Sequence, residues 1–228
     1  MAFLCTHKCD EGELNMQRKR YAGLLAAFLS IFVVACMAGC GNTKETLDVT
    51  HLQIDEAGVV THTMIEDFDT SVYDVAELQA MIQEEIADYD NDFQGGNVSL
   101  ISATMSETES NKLIVTMQFS DVLAYSDFNA IDMFYGTVAE AGEKGYALEG
   151  LVFTDASDAT KTVGFSELTE TAGHILIVEE NIPVELPYKV LYTSGNVELL
   201  DKYTVSGTEQ PEGTGEGQTD GFYYVITK

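Results

Sequence analysis

Seventeen residues, Tyr21 to Met37, form an almost wholly apolar run that divides the chain into two parts. Arg18, Lys19 and Arg20 stand just before it, and polar Gly41-Asn42-Thr43-Lys44 just after. A short basic flank, an apolar stretch and small residues at its end are the layout of an export signal. The run sits near the lower limit of what crosses a bilayer, about 17 to 20 residues. Read as a signal or as a plain helix, it leaves the basic flank inside and carries the bulk of the chain out of the cytoplasm. Cys40 to Lys228 is then 189 residues, enough for one domain or two small ones. Beyond Cys40 there is no further cysteine, so no disulfide can staple this part. Its fold has to rest on a hydrophobic core, which a chain of this size can build.

Met37-Ala38-Gly39-Cys40 closes the apolar run and resembles the lipobox of bacterial lipoproteins. The resemblance implies that Cys40 carries diacylglycerol and that signal peptidase II, recognising Met37, Ala38 and Gly39, cuts before it. Met37 stands where that family usually has Leu, a residue of similar size and polarity. The chain as a whole resembles the small, acidic surface lipoproteins of Gram-positive bacteria. The implied location is the cell membrane, lipid-anchored on its extracytoplasmic face. Residues 1–15 do not suit a signal, since Cys5, His7, Cys9, Asp10, Glu11 and Glu13 precede the basic flank. They are expected to be a non-native extension, with translation starting at Met16. Cys5, His7 and Cys9 have metal-ligand chemistry, but three ligands in such a leader are a poor site. The expected layout is an extension at 1–15, a signal at 16–39, a lipidated tether at 40–46 and one domain at 47–228. A sub-boundary near 146 and a mobile loop at 206–221 are part of that expectation.

Charge then limits the partners. The whole chain has a formal charge of −27; from Cys40 onward it keeps seven lysines, no arginine and 35 acids, a net −28. Such a surface repels nucleic acids and anionic headgroups. The missing arginine also removes the side chain best shaped for a bidentate grip on phosphate or carboxylate. No nucleic-acid partner is expected. The remaining partners are the membrane, through the lipid, and a protein or polymer of the envelope.

Periodicity points to an α+β fold, mainly antiparallel sheet, with one well-formed amphipathic helix and one or two short ones. Leu52-Gln53-Ile54 and Val59 to Ile65 flank Asp55-Glu56-Ala57-Gly58, which reads as a bulged hairpin turn. In that register Leu52, Ile54, Val60 and Met64 share an apolar face, and His51 and His62 fall on opposite faces. A two-residue loop would instead set the two histidines opposite each other. Asp74-Val75-Ala76-Glu77 has capping-box spacing, and Val75, Leu78, Ile82, Ile86 and Tyr89 make one stripe on a helix ending near Asp90. Gln79 and Gln83 fall on its other face. A second hairpin joins Val98–Met105 to Leu113–Phe119. Asp121 to Ala130 reads as a short helix or connection, and Thr137-Val138-Ala139-Glu140 repeats the capping-box spacing. Strands are expected at 148–153, 161–163, 175–178, 189–192, 196–199 and 222–226. Pro183 and Pro187 make 182–186 an edge or a bent link.

The candidate chemistry is sparse. Asp88-x-Asp90-x-Asp92 is similar to the start of a Ca²⁺ loop, but Phe93 occupies the sixth position and Ser99 the twelfth, where an EF-hand needs Gly and Glu. These three acids are the candidate Ca²⁺ ligands, with Asp67-x-Asp69-x-Ser71 a weaker repeat of the pattern. Thirty-five acids offer chance carboxylate pairs, and sequence spacing identifies no hydrolytic pair among them. His174 precedes a strand with no evident nucleophile partner, and no G-x-S-x-G elbow, H-E-x-x-H helix or phosphate loop is present. Tyr192, Tyr203, Phe222, Tyr223 and Tyr224 are candidates for a stacking groove or for ordinary strand packing. The expected function is a non-catalytic binding or scaffolding protein of the envelope. A Ca²⁺-dependent binding module and a carboxylate-dependent hydrolase of envelope polymers are the alternatives.

Overall fold

The computed structural model describes residues 48–93, 97–168, 173–208 and 221–228, all within one compact unit, Thr46–Lys228. The residues of the expected lipobox, Met37, Ala38, Gly39 and Cys40, and of the expected extension at 1–15 and signal at 16–39 lie outside the described residues.

The fold is α+β and mainly β. Alternation of apolar and polar residues builds the first sheet from β1 (His51–Ile54), β2 (Val60–Asp67), β3 (Val98–Met105) and β4 (Lys112–Phe119). Its remaining strands are β9 (Pro183–Glu185), β11 (Val197–Leu199) and β12 (Thr204–Gly207), in the order β11-β12-β9-β1-β2-β4-β3. The second sheet contains β5 (Met133–Thr137), β6 (Val152–Asp155), β7 (Asp158–Gly164), β8 (His174–Val178), β10 (Val190–Ser194) and β13 (Tyr223–Thr227), in the order β5-β8-β13-β10-β6-β7. Every pairing is antiparallel except β1 with β9. Four helices complete the described residues: α1 (Val75–Phe93), α2 (Val122–Asn129), α3 (Val138–Glu143) and α4 (Phe165–Leu168).

Two apolar clusters explain the layering. The larger gathers Leu52, Ile54 and Val60, the β4 row Leu113, Val115, Met117 and Phe119, and Leu176, Val178, Tyr223 and Val225 of the second sheet. The smaller holds Ile175, Ile177, Tyr224 and Ile226, covered by Ala141 of α3, Leu148 and Leu168 of α4. Successive residues of β8 and β13 thus face different cores. Tyr223 to Thr227 are all buried, because both faces of β13 are covered. Tyr223 and Tyr224 are therefore core residues of two clusters and do not line a common groove.

The α1 stripe lies where periodicity puts it. Ile82 is buried, and Val75, Leu78, Ile86 and Tyr89 pack on the larger cluster. Asp74 caps the helix, accepting from the backbone N–H groups of Ala76 and Glu77 at 2.6 and 3.2 Å. Gln79, expected on the outward face, instead donates to the Ala103 carbonyl of β3 at 2.8 Å. The first hairpin pairs Leu52 with His62 and His51 with Thr63, so the two histidines face opposite sides, as the alternation requires.

Several expectations are corrected. Strands on both sides of residue 146 share the first sheet through the β1–β9 pairing, so no sub-boundary near 146 divides the fold. β9 lies between β12 and β1 and is not an edge. Pro183 is tolerated there because it opens a three-residue strand, where one missing N–H costs little. The strands expected at 148–153 and 161–163 reach further toward each other, as β6 and β7, which close around Ala156 and Ser157. Ser206 and Gly207 belong to β12, so they are not part of a loop; 209–220 lie outside the described residues.

Candidate functional site

The helix α1 runs past its expected end near Asp90 to Phe93, so Asp88, Asp90 and Asp92 all lie on it. Residues two apart on a helix point about 200° away from each other. Asp88 and Asp90 consequently diverge; Asp88 is exposed and Asp90 half-buried. Of the Asp92 side chain nothing is described. Asp69 is spent on a local turn, accepting from the Ser71 backbone and hydroxyl at 2.9 and 2.6 Å, which holds its carboxyl below the usual range. Asp67 pairs with Lys112 at 3.1 Å. Among the described residues no three His, Cys, Asp or Glu side chains come together to hold a metal.

A groove of about 880 Å³ lies elsewhere, with the edge strand β5 as its floor and α2 and α3 as its walls. Six carboxylates line it: Asp121, Asp127, Asp132, Glu140, Glu143 and Glu179, with Lys144 as the one cation among the lining residues. Phe134, Tyr135 and Tyr146 also line it, Phe134 only 7% exposed. The Phe134 and Tyr146 rings stand 5.5 Å apart, and Lys144 Nζ lies 5.6 Å over the Phe134 ring. Like charges repel, so six acids in one concavity are costly until a cation is brought in.

Local sequence sets both walls. Asp121 caps α2, accepting from the Ala124 N–H at 2.9 Å. Ala130 ends α2 in a left-handed conformation, φ 55°, where Gly or Asn is usual. The Thr137 capping box, legible in the sequence, starts α3. Glu140 accepts there from the Thr137 N–H at 2.8 Å and hydroxyl at 2.7 Å. Those two bonds hold the Glu140 carboxyl below its usual range. It is an anion at neutral pH and ill-suited to act as a general acid.

Behind the α2 wall lies a buried polar chain. His62 is 4% exposed, and neither ring nitrogen has a hydrogen-bond partner. Its ring meets the Tyr125 ring edge-on, with centroids 5.6 Å apart. Burial brings the His62 imidazole down to about 4, and nearby His51 adds to this. Tyr125 donates to Glu180 Oε2 at 2.6 Å. Burial raises the Glu180 carboxyl, and the bond from Tyr125 opposes that rise. Tyr223, raised by burial and then by Glu180, completes the chain. His174, the remaining histidine candidate, is stacked between Tyr135 and Tyr188 at 5.4 Å on each side. Tyr135 is pushed up to about 12 by burial, with the Thr227 hydroxyl opposing.

Sequence reasoning missed the groove acids. They come from α2, the α2–β5 link, α3 and the end of β8, and no spacing distinguishes them among 35. The capping box was the one legible signal, and it located Glu140. No protein-family model, curated protein or solved structure matches this chain.

Proposed function

We propose that this chain is a lipid-anchored, non-catalytic binding protein of the extracytoplasmic membrane face, and that the groove between α2 and α3 takes a cationic partner with some apolar surface. The observation that carries this reading is the concentration of six carboxylates and three aromatic rings in one groove with a single lysine. Carboxylates attract an amine or a basic peptide, and ring faces accept both alkyl stems and cations. The short apolar run ending in Met37-Ala38-Gly39-Cys40 supports the anchor. Glu140, held ionised by its two bonds from Thr137, is suited to attract a cation.

A chain of charge −27 attracts any polycation, so affinity alone does not test the site. Calorimetric titration of the full chain with tetralysine should therefore compare two double variants at 0.15 M salt. Asp127→Asn with Asp132→Asn should weaken binding about tenfold, the loss of two close attractions. Asp88→Asn with Glu84→Gln, on the outward side of α1, should leave it within about twofold. Equal losses in both would leave only a diffuse field and overturn the reading. The same titration with Ca²⁺ tests the Asp88, Asp90, Asp92 alternative. Metabolic labelling with a fatty-acid analogue tests the anchor: Cys40→Ala should abolish incorporation, and undiminished labelling would remove it.

A further inference from the structure

His62 is the most expensive unexplained group in the described core. It sits on the apolar face of β2, directly opposite Leu52 of β1 and Met117 of β4. Both nitrogens are buried without a partner. A buried donor or acceptor left unpaired destabilises a fold, and natural cores keep few of them. Protonation makes the position worse, since an imidazolium needs two acceptors or water.

The groups that face it are few. From α2 comes the Tyr125 ring, 5.6 Å away. His51 of β1, on the opposite face of the sheet, adds to the cost of a charge on His62. Glu180 lies across Tyr125, and its Oε2 is taken by the Tyr125 hydroxyl. Tyr223 of β13 lies beyond Glu180. Nothing among these is placed to accept from a protonated His62.

The contact that would yield is the one with α2. This helix is short, Val122–Asn129, and ends at the left-handed Ala130. Its inner face presents Tyr125 to His62, and its outer face presents Asp121, Leu123 and Asp127 to the groove. A change on the inner face is therefore transmitted to the groove wall through one short helix of about two turns.

We propose that His62 is an acid-sensitive latch: by taking a proton from solvent as α2 lifts away, it stabilises an opened state in which the groove wall is displaced. The consequence for binding rests on the proposed function of the groove; the opening of α2 does not. At neutral pH the latch is closed, because a neutral imidazole fits the apolar site. Below the ordinary histidine range the opened state gains the proton that the closed state refuses. Glu180 works in the opposite sense, since its raised carboxyl takes up a proton readily in the closed state.

Amide hydrogen exchange on the full chain, expressed as protection relative to an unstructured peptide at each pH, reads the opening directly. A histidine at about 4 when closed and 6.5 when open favours opening on the order of 30-fold more at pH 5 than at pH 7.5. Protection of the α2 amides should fall by that factor and stay well below that of β8 and β13 at both pH values, because α2 opens without global unfolding. His62→Gln, neutral at both pH values, should abolish the pH response; His62→Leu serves if the glutamine variant does not fold. Glu180→Gln should keep the response and steepen it. An α2 protection that is flat with pH, one no lower than that of β8 and β13, or an unchanged response in the His62 variant would each overturn the latch. Tetralysine binding at pH 5 and 7.5 then tests the coupling separately. It should weaken at pH 5 in the wild type more than in His62→Gln; equal pH effects would sever the latch from the groove.

Discussion

The Tyr125 hydroxyl donates to Glu180 Oε2 at 2.6 Å, joining residues 55 apart in sequence. This bond fastens α2 to the segment after β8, and so holds one wall of the groove to the second sheet. It also satisfies a carboxylate that burial would otherwise penalise more heavily.

Tyr125→Phe removes the donor and keeps the ring against His62 and Phe119. A hydrogen bond to a buried charged group contributes about 1.5 to 3 kcal/mol. The free energy of unfolding should fall by that amount, seen as a lower urea midpoint with an unchanged slope. Glu180, freed of the bond that lowers it, should rise further, which carboxyl-detected titration would show. An unchanged midpoint would mean that solvent already serves Glu180.

The pH dependence of stability should carry the signature of His62. Its folded value, about 4, lies below the unfolded 6.5, so the unfolded chain binds the extra proton between them. This contribution to stability is present above 6.5 and is lost as pH falls toward 4. The loss approaches about 3 kcal/mol at the lower limit. Denaturant midpoints from pH 7.5 to 4 in wild type and His62→Gln should diverge by this difference. Parallel curves would mean that His62 is already paired or hydrated.

The glycine at 207 is a packing requirement. A Cβ there would stand 2.8 Å from the ring of Tyr223, which is fully buried. Gly207→Ala should cost about 1 to 3 kcal/mol through forced displacement, and should alter the near-ultraviolet tyrosine signal. Gly195→Ala is the control, since a Cβ there meets nothing within 4 Å. It should change stability by no more than about 0.5 kcal/mol. Equal effects at the two positions would contradict the close approach of β12 and Tyr223.

Thr137 joins the sequence to the groove through a cap. Thr137→Ala should cost about 1 kcal/mol as a lost N-cap. It should also let the Glu140 carboxyl rise toward its usual range, because both bonds that lower it involve Thr137 and one of them is to the hydroxyl. Carboxyl titration by NMR would show the rise; an unmoved Glu140 would mean that the backbone N–H alone holds it.

What the sequence disclosed and what it hid follow from locality. The α1 stripe, both hairpins and the Thr137 cap were legible because each is specified within a few residues. The His51–His62 geometry was legible because a period of two fixes which face a residue takes. β9 was misread as an edge because proline penalises a strand interior, and its pairing with β1 joins Leu52 to Val184, far beyond any local pattern. The helix α1 also meets α2 through Tyr89 against Phe128, a ring contact that no spacing announces. The groove was hidden for the same reason, and more deeply: its acids look like all the others until the fold gathers them. Tyr125 and Glu180 carry no motif at all, and their bond is visible only in three dimensions.

The central claim, that the groove between α2 and α3 is the binding surface, is tested most directly by locating a bound cation on the folded chain. Tetralysine added to isotope-labelled protein at 0.15 M salt should shift the backbone resonances of Asp121, Asp127, Asp132, Glu140 and Glu143, with α1 and β7 little changed. Shifts scattered over the acidic surface in proportion to exposure, with none concentrated on α2 and α3, would contradict it.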